Sequence, residues 1–222
     1  MQQIAKNIQK IKSNISLACE QSRRNICEIT ILAATKMVVP ALINEAIKNG
    51  IKVSSENRVQ DFIAKYDSIQ GVDWHFIGSL QTNKVKYIID KVSLIHSIDR
   101  ESLASEVQRQ AEKIEKKIDV LIEINMGDET SKSGVKKENL QSLVDFISSK
   151  PNLNLRGFMP ILPIDAHEKF YIEANQIYQK HKQNNKNITI LSMGMSDDYM
   201  TAIRHGATLV RLGSCLFGKR NY

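Results

Sequence analysis

Apolar positions along this chain follow two spacings in alternation. Residues 1 to about 24 carry Ile4, Ile8, Ile11, Ile15 and Leu17 near a 3.6-residue period, which predicts one amphipathic helix. Short apolar runs then predict strands at Ile29–Thr35, Ile51–Ser54, Trp74–Ile77, Leu94–Ile98, Ile118–Asn125, Leu153–Met159, Ile188–Ser192 and Thr208–Arg211. Helical spacing predicts helices at Val38–Lys48, Arg58–Tyr66, Asn83–Asp90, Glu101–Lys116, Lys137–Ser148, Ala166–His181 and Asp197–Arg204. Gly50 and Gly206 stand where helices should stop, and Pro151 follows another stop.

Strands that alternate with helices point to a parallel α/β fold. An open doubly wound sheet fits the same pattern. The count of eight, and polar residues recurring at the C-terminal ends of several strands, favour a single (β/α)8 TIM-type barrel with an extra N-terminal helix. The expected organisation is one domain over residues 1–222, with the helix of residues 1–24 packed on it.

Composition adds exclusions. Apolar residues make up 42% and charged residues 25% of the 222, ordinary for a chain that buries a core. No run approaches the ~20 apolar residues of a membrane span, and no signal-peptide pattern opens the chain. Cys19, Cys27 and Cys215 are widely spaced, without a metal-ligand pattern, so no metal is expected and a reducing cytoplasm is. The net charge of +7 raises nucleic acid as a partner. The basic residues lie scattered on helical faces, without interleaved aromatics, and solvated surface is the better reading.

The candidate chemistry gathers at strand ends. Lys36 follows the first strand, at the end where parallel barrels build their sites. The second strand runs into Ser54-Ser55-Glu56-Asn57, and the seventh into Ser192-Met193-Gly194-Met195-Ser196. The eighth runs into Arg211-Leu212-Gly213-Ser214. Small residues and hydroxyls after the last two strands suit a phosphate held by backbone amides. A plainer reading makes Ser196 an ordinary helix N-cap and Gly213 a chain turn. Arg211, if inward-facing, needs an acceptor: Glu56 in the plain reading, a ligand in the functional one. A lysine, a phosphate cradle and an arginine together describe a pyridoxal phosphate pocket. The lysine would form an aldimine, and the arginine would face the pyridine nitrogen.

At this point the sequence resembles the pyridoxal phosphate homeostasis protein family, also known as YggS-like or proline-synthase co-transcribed proteins. The likeness is carried by Ala34-Thr35-Lys36, Glu56–Gln60, the run Trp74–Lys84 (WHFIGSLQTNK), Glu129–Gly134, Leu191–Asp197 and Arg211–Gly218. The resemblance implies a barrel related to the N-terminal domain of alanine racemases, with pyridoxal 5'-phosphate on Lys36. By position Asn57 lines the cofactor, Ser196, Gly213 and Ser214 hold its phosphate, and Arg211 meets the ring nitrogen. Met193, Gly194, His75 and Lys132 match motif positions. His75 is equally read as a hydrogen-bonded core histidine, and Lys132 as a solvated loop charge. The chain departs from the family pattern at Thr35 (usually Ser), Ser55 (usually Gly), Arg58 (usually Tyr), Pro40 and Pro160. None of these removes a proposed ligand.

An arginine at the pyridine nitrogen leaves the ring a weak electron sink, and racemases of that kind need a second base from another domain or subunit. A single barrel of this length is not expected to supply one. The expected function is therefore a cofactor carrier in vitamin B6 homeostasis, without catalytic residues, as a monomer handing cofactor to apo-enzymes. The alternative is a racemase-type enzyme of narrow or residual amino-acid activity.

Overall fold

The computed structural model describes residues 2–127, 129, 132–164 and 166–218. Asp128, Thr130 and Ser131 of the family-like loop, and the Lys219-Arg220 tail, lie outside the described residues.

In chain order the elements begin with α1 (Gln2–Gln21), β1 (Thr30–Ala34), α2 (Pro40–Lys48), β2 (Val53–Glu56), α3 (Val59–Tyr66), β3 (Asp73–Phe76) and β4 (Leu94–Ile98). There follow α4 (Glu101–Lys113), β5 (Ile118–Asn125), β6 (Val135–Lys136), α5 (Leu140–Ser148), β7 (Leu153–Ile161) and α6 (Glu168–Asn184). The chain then forms β8 (Ile190–Leu191), α7 (Tyr199–Arg204), β9 (Leu209–Leu212) and α8 (Ser214–Phe217). Each of the eight expected strands is present, six of them with shifted bounds. The expected helix Asn83–Asp90 is instead a 3-10 turn over Thr82–Tyr87, with Lys84 N bonded to the Gln81 carbonyl. The short β6 and α8 were not expected, because two and four residues are too few to show a period.

The contacts of the chain gather in two compact units: residues up to Trp74 together with those from Met193 onward, and His75–Ser192. In the first unit β1 lies between β2 and β9, parallel to both. Helix α1 packs against α2, α7 and α8, burying Ile4, Ile8, Ile11, Ile15 and Ala18. Leu17 is 46% exposed. It stands two residues beyond Ile15, about 200° around the helix, so it leaves the buried stripe and Ala18 replaces it. Arg24 then holds α7 from its C-terminal end, donating to the carbonyls of Ile203 and Ala207 at 2.8 and 2.7 Å.

In the second unit the strands run parallel in the order β8-β7-β5-β4-β3, with β6 added beside β5. The β5–β7 register slips by one residue between Leu155 and Gly157, a bulge that accommodates Arg156. Gly157 adopts φ +147, and a Cβ there would overlap the Ile190 carbonyl of the neighbouring strand. Glycine is needed here for close backbone approach. We expect Gly157→Ala to destabilise the fold by about 3 kcal/mol, from a left-handed φ plus the clash. Urea denaturation checks this, and an unchanged midpoint would contradict it.

Candidate functional site

Parallel pairing sets the face on which each side chain emerges. The register aligns Leu32 with Val53 and Ala34 with Ser55, and on the other side Leu32 with Arg211. Successive residues alternate faces. Leu32, Ala34, Val53, Ser55 and Arg211 therefore share one face. The ladder continues through Thr35, whose N–H donates to the Ser55 carbonyl at 3.0 Å. Lys36 and Asn57 lie just beyond the paired segments, at positions that have the same parity as that face. Thr35 and Glu56 fall on the opposite one. There the fully buried Glu56 accepts from Lys65 Nζ at 2.6 Å, and the Thr35 hydroxyl lies 2.9 Å from the same carboxylate oxygen. Glu56 is thus engaged by Lys65 and Thr35, so the plain reading that made it the partner of Arg211 is set aside.

Lys36 sits in a turn closed by Val38 N–H donating to the Thr35 carbonyl at 2.9 Å. Met37, next in the turn, has φ +61, a left-handed conformation rarely taken by a residue with a long side chain. Among the described residues Lys36 makes no hydrogen bond or ion pair. It lines a cavity of about 170 Å³ with Ala34, Val39, Leu42, Gly213 and Phe217 among its walls.

Gly213 links that cavity to a cradle of amides. Its N–H and that of Cys215 both donate to Ser196 Oγ, each at 3.2 Å. The Ser196 hydroxyl is therefore not the N-cap of α7. That position belongs to Asp198, whose carboxylate accepts from the Met195 amide at 2.5 Å. Two backbone donors converge on one oxygen, which is the arrangement an anion oxygen requires. Ser214, exposed, lies between them in sequence. Gly194 and Met193 fix the strand leading in: Met193 N–H donates to the Leu209 carbonyl, and the Gly194 carbonyl accepts from Arg211 N–H, both at 3.0 Å. Gly194 has φ +97, and a Cβ there would lie 2.6 Å from that of Ala202. Burial pushes the Cys215 thiol up, with hydrogen bonds from Ser196 and the backbone pulling the other way. The Cys215 amide was absent from the sequence reading, since nothing in a residue's identity reveals its N–H.

The site residues Lys36, Asn57, Ser196, Arg211, Gly213 and Ser214 thus lie in the first unit. His75 and Lys132 belong to the second. His75 Nδ1 lies 3.0 Å from His96 Nε2, and His96 Nδ1 lies 3.1 Å from the Ser192 hydroxyl. This buried chain matches the core-histidine alternative. Lys132 closes a loop, donating to Glu129 Oε1 at 2.9 Å and to the Leu162 carbonyl at 3.0 Å. Among the described residues no group of three His, Cys, Asp or Glu is placed to hold a metal.

The fold and site define the class first: an alanine racemase N-terminal domain, a parallel (β/α)8 barrel, whose family model matches residues 1–221. A pyridoxal phosphate homeostasis protein of Aquifex aeolicus is 43% identical, over 97% of each chain. One from Escherichia coli is 36% identical, over 100% of this chain and 99% of that one. PipY of Synechococcus elongatus, solved with PLP bound, is 26% identical with a TM-score of 0.83, over 97% of this chain and 100% of its own. The chain belongs to the pyridoxal phosphate homeostasis protein family.

Burial holds the His75 imidazole down, to about 4 from the 6.5 of an exposed histidine. Between these values the unfolded chain binds a proton that the native state refuses, so stability falls as pH falls. We expect His75 to remove about 3 kcal/mol of unfolding free energy between pH 6.5 and 4. Denaturation at a series of pH values, compared with His75→Asn, measures it; equal slopes for both proteins would contradict it.

Proposed function

We propose that this chain binds pyridoxal 5'-phosphate at Lys36 and serves vitamin B6 homeostasis without turning over a substrate. The observation that carries the reading is a lysine, without a partner among the described residues, in a cavity that shares Gly213 with a two-amide cradle. When bound, pyridoxal phosphate supplies an aldehyde that condenses reversibly with an amine.

The remaining chemistry belongs to the protein. Lys36 Nζ, free of a competing acceptor, provides the attachment point. The hydroxyls of Ser196, which the Gly213 and Cys215 amides hold in place, and of Ser214 would receive the phosphate; an anion oxygen could also take the place of Ser196 Oγ on the two amides. Asn57 and Arg211, on the same face as Lys36, would bound the ring. The fit rests on this donor set: an ammonium and two converging N–H groups suit a group carrying an aldehyde and a dianion.

A holding role is supported by the composition of the cavity wall. Among the described residues Lys36 is the sole ionisable side chain lining it, the others being apolar side chains or glycine. A racemisation needs a second acid or base beside the reacting carbon. Release to apo-enzymes by a monomer follows as the proposed use of such a reversible attachment. Three free cysteines suit a reducing cytoplasm, and no helix among the described residues is long and apolar enough to cross a membrane.

Equilibrium titration with pyridoxal phosphate tests the reading. Lys36→Ala should weaken binding about a hundredfold, and Ser196→Ala should weaken competition by inorganic phosphate about tenfold. Wild-type affinity in Lys36→Ala would sink the attachment. Deuterium exchange at the Cα of amino acids, faster than with free cofactor, would sink the non-catalytic role.

A further inference from the structure

The face of the sheet opposite Lys36 carries a network that the proposed function does not use. Glu56 is fully buried, and its two carboxylate oxygens have different duties. Oε1 accepts from Lys65 Nζ at 2.6 Å and lies 2.9 Å from the Thr35 hydroxyl. Oε2 accepts from the Asn57 amide at 3.4 Å. Lys65, on α3, makes a second contact that matters more: its Nζ donates to the Thr35 carbonyl at 2.9 Å.

That carbonyl is also the acceptor that closes the Lys36 turn through Val38 N–H. The turn carries Met37 at φ +61, a conformation costing ~1–2 kcal/mol that persists only where its surroundings hold it. One ammonium and one carboxylate therefore grip the backbone immediately before Lys36 and the amide of Asn57. Neither Lys65 nor Glu56 lines the cavity of Lys36.

We infer that Lys65 and Glu56 are positioning residues for Lys36: they clamp the Thr35–Val38 turn from behind the sheet and so aim the Lys36 amine into its cavity. Loss of the clamp frees the turn to relax from its left-handed Met37, and Lys36 then leaves the geometry in which an aldehyde can reach it. The inference rests on the proposed role of Lys36. The plainer account, a buried ion pair that only stabilises the fold, predicts a different outcome below.

The test compares wild type with Lys65→Met, Lys65→Arg and the double variant Lys65→Met/Glu56→Gln. The double variant leaves no buried charge unpaired, and so keeps the test open if the single variant fails to fold. Circular dichroism checks each fold. Three quantities are measured: affinity for pyridoxal phosphate, affinity for inorganic phosphate, and hydrogen exchange of the Val38 amide without cofactor. Both Met-bearing variants should bind pyridoxal phosphate about tenfold more weakly and exchange Val38 about tenfold faster, with phosphate affinity within about twofold of wild type. Lys65→Arg, which still reaches a carbonyl and a carboxylate, should recover most of both losses. Wild-type cofactor affinity and Val38 protection in the double variant would overturn the inference. Equal loss of cofactor and phosphate affinity would overturn it too, since that marks general loosening of the site. A wild type that takes up no pyridoxal phosphate instead defeats the proposed function, while Val38 exchange still reads the clamp.

Discussion

Strict alternation of side chains across a parallel three-strand ladder governs this site. With β1 locked between β2 and β9, a one-residue shift would exchange the two faces. Lys36 would then turn toward α3, and Thr35 with Glu56 would face the cavity. The register is held by backbone bonds and also by polar contacts at the strand ends. Glu56 is buried completely and stays tolerable only while Lys65, Thr35 and the Asn57 amide satisfy it. Of these polar residues, Glu56 and Lys65 are the ones inferred to position Lys36.

The two anchors of the site have different physical natures. Lys36 is a side chain with no hydrogen bond or ion pair among the described residues, which is what the proposed attachment needs. The proposed phosphate cradle is backbone, drawn together by the Ser196 hydroxyl across 17 residues of sequence. Gly194 makes this approach feasible, because α7 passes too close for any Cβ. Such an arrangement would hold a cofactor through fixed donors and a reversible bond, and among the described residues the cavity wall carries no second ionisable side chain. That is the carrier role proposed above; the relatives that match this chain end to end are named pyridoxal phosphate homeostasis proteins.

Much of this was legible in the sequence, and the failures have clear causes. Apolar runs located each expected strand, and those of β4 and β5 matched to the residue, each opening and carrying most of its length on Ile, Leu or Val although polar residues interrupt both. Motif position singled out Lys36, Ser196 and Gly213, but the hydrogen bond between the last two became visible only in the structure. Ser196 was weighed as a helix cap, and only the fold could show that its hydroxyl faces backbone amides from another loop. Leu17 was drawn into the α1 stripe by proximity, although helical geometry turns it outward. Lys65 went unnoticed among many helix-surface lysines; its importance comes from reaching back to Thr35, a contact 30 residues apart in sequence. Thr35 itself, a departure from the family's serine, keeps the hydroxyl that this network uses.

The central claim is that one particular lysine, out of the many in this chain, is the attachment point. Incubation with pyridoxal phosphate, reduction with borohydride and peptide mapping by mass spectrometry tests it directly. The account predicts a pyridoxyl group on the peptide containing Lys36, at near-stoichiometric yield and ahead of all other lysines. Label spread over surface lysines, or concentrated on a different one, would contradict it.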